Sequence, residues 1–127
     1  MKPIVLLVED NERNRKLART ILEFRGYDVV ELEDGEHTVA KAKECKPVLV
    51  LMDIELPKVD GITALRMLRD DPETAHIPVA AVTASVTPTE RDRVVAAGFN
   101  AYIAKPIDVM SFGEQIDKLA GKVAAGQ

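Results

Sequence analysis

The chain has one cysteine, Cys45, so no disulfide can form within it. A reduced, cytoplasmic setting is expected, and Cys45 reads as a small helix residue rather than a reactive thiol. Basic charge is not in excess: the formal net charge is -4. A nucleic-acid footprint needs a basic face, so no nucleic-acid partner is expected. No apolar run is long enough to cross a bilayer. The opening Met1-Lys2-Pro3 leads into a strand-like run without a signal-peptide hydrophobic region. No membrane association is expected. The two histidines, His37 and His76, fit no metal-ligand spacing and read as surface residues. There is no linker, low-complexity segment or repeat beyond the alternation described next. At 127 residues the expectation is one domain, 1–127, with a core over about 2–120 and a fraying tail. The composition, 46% hydrophobic and 30% charged, is that of a globular protein.

Apolar strand-like runs alternate with helix-like stretches five times, the pattern of repeated βα units around a parallel sheet. The strands are expected at Ile4 to Val8, Tyr27 to Leu32, Val48 to Met52, Ile77 to Val82 and Ala101 to Ala104. Asn11 is a candidate N-cap for the first helix, with Leu17, Ala18, Ile21 and Leu22 at core spacing and Gly26 as its stop. The second helix offers Val39, Ala40 and Ala42 as its apolar side, and Pro47 marks its end. The third carries Ile62, Leu65, Met67 and Leu68. Thr87-Pro88-Thr89-Glu90 sets Thr at an N-cap, Pro at the first helical position and Glu at the third, a strong helix start. Asp108 can cap a last helix with Val109, Phe112, Ile116, Leu119 and Val123 toward the core.

Val48-Leu49-Val50-Leu51-Met52-Asp53 organises the rest. A short continuous apolar run suits a strand buried on both faces. A charge inside it is costly, so Asp53 marks its carboxyl end, where open α/β sheets place their ligand crevice. Taken alone, Asp53 could equally begin a plain loop. Parallel strands, however, bring all their carboxyl ends to one edge. That edge would collect Glu9 and Asp10 from the first strand, Asp53 from the third, Thr83 from the fourth and Lys105 from the fifth. Singly, each has a bland reading: a solvated helix entry, a strand end, a surface lysine. Three carboxylates held together resist ionising unless a cation joins them. A hard divalent ion such as Mg²⁺ is the natural partner, and an ammonium completes the balance. Such a site suits phosphoryl transfer, with Asp53 as in-line nucleophile. The Thr83 hydroxyl could bond a phosphoryl oxygen only after transfer, as a switch requires.

These residues resemble the receiver domain of two-component response regulators. The resemblance rests on Glu9-Asp10-Asn11, Asp53 at the end of an apolar strand, Pro57 with Asp60-Gly61, Val82-Thr83-Ala84, and Tyr102-Ile103-Ala104-Lys105-Pro106. It runs from about Lys2 to Leu119, and the Ala75 to Val79 segment is similar to stand-alone, DivK-like members. It implies a doubly wound five-stranded parallel sheet of order 2-1-3-4-5 with five helices, the flavodoxin/CheY-like fold. It also implies a function. A sensor histidine kinase or histidine phosphotransfer protein would phosphorylate Asp53 in the presence of Mg²⁺. Glu9, Asp10, Asp53 and the backbone carbonyl of Glu55 would hold the metal. Lys105 would pair with the phosphoryl group, Thr83 would move toward it, and Tyr102 would turn inward. The Lys105-Pro106 bond is expected to be cis.

Many receivers have Asp at the position of Glu9, so altered metal affinity is expected rather than loss of function. Glu55 and Ser85 stand where the family tunes dephosphorylation. With no output module in the sequence, output is expected through a downstream protein target or onward phosphoryl transfer. The first helix, with Arg13, Arg15, Lys16 and Arg19, and the loop after Lys105 are where the family docks histidine-bearing helices; charge there is otherwise simple solvation. The fourth helix, fifth strand and fifth helix, including Val86 and Ile103, form the family's output face. A monomer or weak homodimer is expected. The chain is expected to be no enzyme beyond self-catalysed phosphorylation and autodephosphorylation. Two other classes stay open at this point: a receiver fold that binds without phosphorylation, and an Asp-nucleophile phosphatase of the haloacid dehalogenase kind. The latter carries Asp-x-Asp after its first strand, whereas Asp53-Ile54-Glu55 follows the third.

Overall fold

The computed structural model describes residues 2–56, 58–84 and 87–121. Pro57, Ser85, Val86 and Val123, which entered the sequence reading, lie outside the described residues. Five strands and five helices alternate along the chain: β1 Ile4–Val8, α1 Glu12–Phe24, β2 Asp28–Leu32, α2 Thr38–Cys45, β3 Leu49–Asp53, α3 Gly61–Asp70, β4 Val79–Thr83, α4 Pro88–Ala97, β5 Ala101–Ala104 and α5 Val109–Leu119. All strand pairs are parallel, in the order β2-β1-β3-β4-β5. This is the doubly wound architecture and strand order implied by the resemblance. Among the described residues no helix is long and apolar enough to cross a membrane.

Period-two alternation divides the core in two. Val5, Leu7, Leu49, Leu51, Ala80 and Val82 face one layer, where α1 and α5 contribute Ala18, Ile21, Leu22, Phe112 and Ile116. Leu6, Val8, Val50, Met52, Val79 and Ala81 face the other, against Ala42, Ile62, Leu65, Leu68 and Val94 of α2, α3 and α4. β3 and β4 are buried at every residue, which is why their sequences are apolar without alternation.

Three helices, α1, α3 and α4, start on a capping side chain. Asn11 accepts from the Asn14 amide and Asp60 from the Thr63 amide. Thr87 Oγ1 accepts from Glu90 N–H ahead of Pro88 at the first turn. Asp108 occupies the N-cap position of α5 but does not cap it; its carboxylate accepts from Ser111 Oγ instead.

Several boundaries and faces differ from expectation. β3 is shifted by one residue, to Leu49–Asp53. Val48 sits at the sheet's lower rim and is 36% exposed, while Asp53 pairs with Val82 as the last rung. β4 begins at Val79: Ile77 closes the preceding turn with its amide on Thr74 O, and Pro78, which has no N–H, offers the sheet only its carbonyl, to Val50 N–H. On α2, Ala40 is exposed and Thr38 is buried in its place. Leu17, Met67 and Val109 are exposed rather than inward. All three lie at the margin of their helix's apolar stripe, where a small rotation of the helix decides the side.

Candidate functional site

The strand order reverses between β1, whose other neighbour is β2, and β3, whose other neighbour is β4. Open α/β sheets bind ligands in the crevice at such a switch point, outside the carboxyl ends of the strands. Here β1 delivers Glu9 and Asp10, and β3 delivers Asp53. Each of the three offers an oxygen, and the three oxygens lie within 4.8 Å of one another. Glu9 and Asp53 are each only 4% exposed, whereas Asp10 is open to solvent.

Asp53 ends a strand buried on both faces, and its carboxylate is tolerated there because two donors meet it. Glu55 N–H donates to Oδ1 at 3.0 Å, and Lys105 Nζ donates to Oδ2 at 2.9 Å. The turn that carries Glu55 is drawn tight over the strand end: Gly61 N–H donates to Ile54 O at 3.0 Å. A Cβ on Gly61 would lie 2.5 Å from the Asp53 carbonyl oxygen, so only glycine fits.

Lys105 reaches the same point from β5. Its amide donates to Thr83 O, extending the β4–β5 ladder by one bond, and its peptide bond to Pro106 is cis, as expected. The ammonium also lies 2.9 Å from Glu9 Oε1. Asn11 N–H donates to Glu9 Oε2 at 3.1 Å. Burial pushes the Glu9 carboxyl up to about 7, against the opposing bond from Lys105. Burial alone would lower the Lys105 pKa, but the bonds to Asp53 and Glu9 outweigh it and raise the group above the ordinary lysine value.

Thr83 is fully buried at the end of β4. Tyr102, opposite Ala81 on β5, is half-buried against the layer formed by α2, α3 and α4. Thus Glu9, Asp10, Asp53 and Lys105 converge directly, and Thr83 ends the strand beside Asp53's. Glu55 contributes its amide, while its side chain is exposed. Ile103 does not belong on an outer face: it is 5% exposed and packs under α5. A second acidic group escaped the sequence reading. Asp34, Glu36 and His37 cluster at the start of α2, with Lys58 Nζ 3.7 Å from both Asp34 and Glu36. It contains His37, which the spacing alone had left as a lone surface residue.

Three acidic side chains facing one ammonium in a partly enclosed crevice form a donor set of hard oxygens with negative charge to spare. That is the chemistry of a divalent-cation site.

The sequence matches the family described as response regulator receiver domain over residues 5–117. It is 43% identical over 121 residues to the polar-differentiation response regulator DivK of Brucella anthropi, covering 95% of this chain and 98% of that protein. The corresponding protein of Brucella ovis is similar to the same extent. Among solved structures, the receiver domain of a sensor histidine kinase from Pseudomonas aeruginosa, with a magnesium ion coordinated in its active site cleft, superposes with a TM-score of 0.88. It is 31% identical, and the match covers 95% of this chain and 99% of that one. A putative response regulator from Chloroflexus aurantiacus gives a TM-score of 0.90 at 24% identity, covering 95% and 99%, a likeness of fold.

Proposed function

This chain belongs to the response regulator receiver family of two-component signalling, and on that premise we propose that Asp53 accepts a phosphoryl group from a phosphohistidine and so switches a protein-binding face. One observation carries the reading: a buried strand-end carboxylate, held by the Glu55 amide and the Lys105 ammonium, stands within 4.8 Å of two further acids.

Glu9, Asp10 and Asp53, with the Glu55 carbonyl, would hold Mg²⁺. Bound there, the ion supplies charge neutralisation for the phosphoryl oxygens. Asp53 contributes the oxygen that bonds to phosphorus. The P–N bond breaks, its electron pair stays on the imidazole nitrogen of the donor, and that nitrogen takes up a proton. Lys105, already at Asp53, then pairs with a phosphoryl oxygen. Thr83 offers its hydroxyl to another, and Tyr102 turns inward behind it. The chain turns over no separate substrate; it catalyses its own phosphorylation and dephosphorylation. Glu55, with its side chain in solvent beside the site, tunes the latter.

The donor is a sensor histidine kinase or a histidine phosphotransfer protein. The exposed Arg13, Lys16 and Leu17 of α1 support this assignment. So does an adjoining cleft of about 450 Å³ lined by Thr20, Ile21, Phe24, Arg25, Val109 and Met110. Phe24 is 92% exposed there, and such a patch on a small protein signals a protein contact. Output passes to a downstream protein target. The chain acts as one receiver domain in the cytoplasm, as a monomer or weak homodimer.

The test is intact mass after incubation with acetyl phosphate and Mg²⁺. Wild type gains one phosphoryl group and Asp53→Asn gains none while keeping its fold. Labelling of Asp53→Asn would overturn the assignment.

A further inference from the structure

Arg15 is out of place by simple electrostatics. It lies in the first turn of α1, where the helix dipole disfavours a cation. Its neighbours Arg13 and Lys16 extend into solvent, but the Arg15 side chain is only 14% exposed. It folds back, and each of its three nitrogens finds its own partner. One terminal nitrogen donates to the backbone carbonyl of Glu9 at 3.1 Å. The other lies 3.3 Å from Glu33, and Nε lies 3.6 Å from Glu31. Glu31 is in turn held by Arg19 at 3.1 Å.

These contacts concern the acidic pair after β1. The Glu9 amide donates to Leu32 O at 3.0 Å, and the Glu9 carbonyl accepts from Arg15. Its amide is thus tied to β2, and its carbonyl to Arg15 of α1, whose other nitrogens lie beside Glu31 and Glu33. The Glu9 side chain is separately held by Lys105 and Asn11. Asp10 has no such support: among the described residues its carboxylate has no hydrogen-bond or ion-pair partner. Its direction is set by the peptide that joins it to Glu9, and the oxygen of that peptide is the one Arg15 grips.

The geometry points to Arg15 as a positioning residue for the metal-binding acid Asp10, acting through the Glu9 carbonyl and anchored by Glu31 and Glu33. This rests on the reading of the crevice as a Mg²⁺ site and extends it to a residue that touches neither the ion nor the phosphoryl group. Lysine cannot substitute, because one ammonium cannot hold the Glu9 carbonyl and also lie beside both Glu31 and Glu33 as the planar guanidinium does. Outer-shell partners of metal ligands commonly change affinity by ten- to a hundred-fold when lost.

The experiment uses the full chain and its Arg15→Lys variant. Mg²⁺ affinity is measured by calorimetric titration with magnesium chloride, and the Asp10 backbone amide is followed by NMR in metal-free protein. Expected in the variant are about tenfold weaker Mg²⁺ binding and a displaced Asp10 amide resonance. Unchanged Mg²⁺ affinity, even with a displaced Asp10 amide or a lower melting temperature, would reduce Arg15 to a staple between helix and sheet and overturn the proposal. Failure of wild type to bind Mg²⁺ would strike the metal site itself, whereas the amide shift in metal-free protein judges Arg15 alone. If Arg15→Lys does not fold, Glu33→Gln, at a side chain 76% exposed, loosens the same guanidinium. Weaker Mg²⁺ binding by that variant then supports the proposal, and unchanged affinity refutes it.

Discussion

The ammonium of Lys105 lies 2.9 Å from Asp53 Oδ2, joining the fifth strand to the third across a separation of 52 residues. The same nitrogen is 2.9 Å from Glu9. In the metal-free protein this lysine is the counter-ion of two buried carboxylates. It thus stands at the oxygens a divalent cation would use.

Removing that counter-ion leaves two buried acids without their cation. Truncating one partner of a buried ion pair costs about 3 kcal/mol or more. Lys105→Ala is therefore expected to lower metal-free stability by about 3 kcal/mol, with the loss largely recovered at saturating Mg²⁺. Urea unfolding with and without magnesium chloride measures both quantities. The variant is also expected to bind Mg²⁺ at least as tightly as wild type, since a competing cation has gone, while its response to phosphorylation is weakened.

Much of this arrangement was legible in the sequence, and the reason is topological. Once β3 is recognised as buried on both faces, parallel pairing brings Glu9, Asp10, Asp53, Thr83 and Lys105 to one edge whatever their side-chain details. Arg15 was not legible in the same way. Spacing assigns it to a charged helix face with Arg13 and Lys16, and only the end of β2, with Glu31 and Glu33, turns it inward. Thr38 and Ala40 exchanged places for a similar reason. On a helix as short as α2, one residue of rotation outweighs the periodic signal. Val109 was placed inside by its spacing from Phe112 and Ile116, but the first turn of α5 overhangs the cleft beside Phe24.

Tyr27 supplies a pH-dependent prediction. Its ring is 1% exposed and its hydroxyl donates to Asp117 at 2.7 Å. Burial, then the adjacent carboxylate of Asp117, raises its pKa above the ordinary tyrosine value. A group raised in the folded state contributes stability that is complete below the unfolded pKa, about 10 for tyrosine. That contribution is lost as pH rises through the folded value. Wild type is expected to lose stability from about pH 10 upward, and Tyr27→Phe is expected to lose less over the same range. At neutral pH the variant is expected to be less stable by about 1 kcal/mol for the missing hydrogen bond. Urea unfolding at a series of pH values compares the two slopes.

Thr38 offers a gain. It is fully buried in the first turn of α2, and its hydroxyl is the one buried side-chain polar atom without a hydrogen-bond partner among the described residues. A buried unsatisfied hydroxyl costs about 1–3 kcal/mol. Thr38→Val keeps the shape and the β-branch and removes the polar atom. It is expected to raise stability by about 1 kcal/mol, read as a higher urea midpoint with an unchanged slope.

The division of the core into two layers has a consequence for traffic at the surface. The α1/α5 layer and the α2/α3/α4 layer share no core residue and are separated by the full thickness of the sheet. The crevice sits on the rim of that partition, above the seam between β1 and β3. Asp53 continues the alternation of Leu49 and Leu51 toward the α1/α5 layer, whereas Thr83 continues that of Val79 and Ala81 toward the other, so the two strand ends straddle the partition. Any ligand that bridges Asp53 and Thr83 would touch both layers at the rim, with no path through the sheet required.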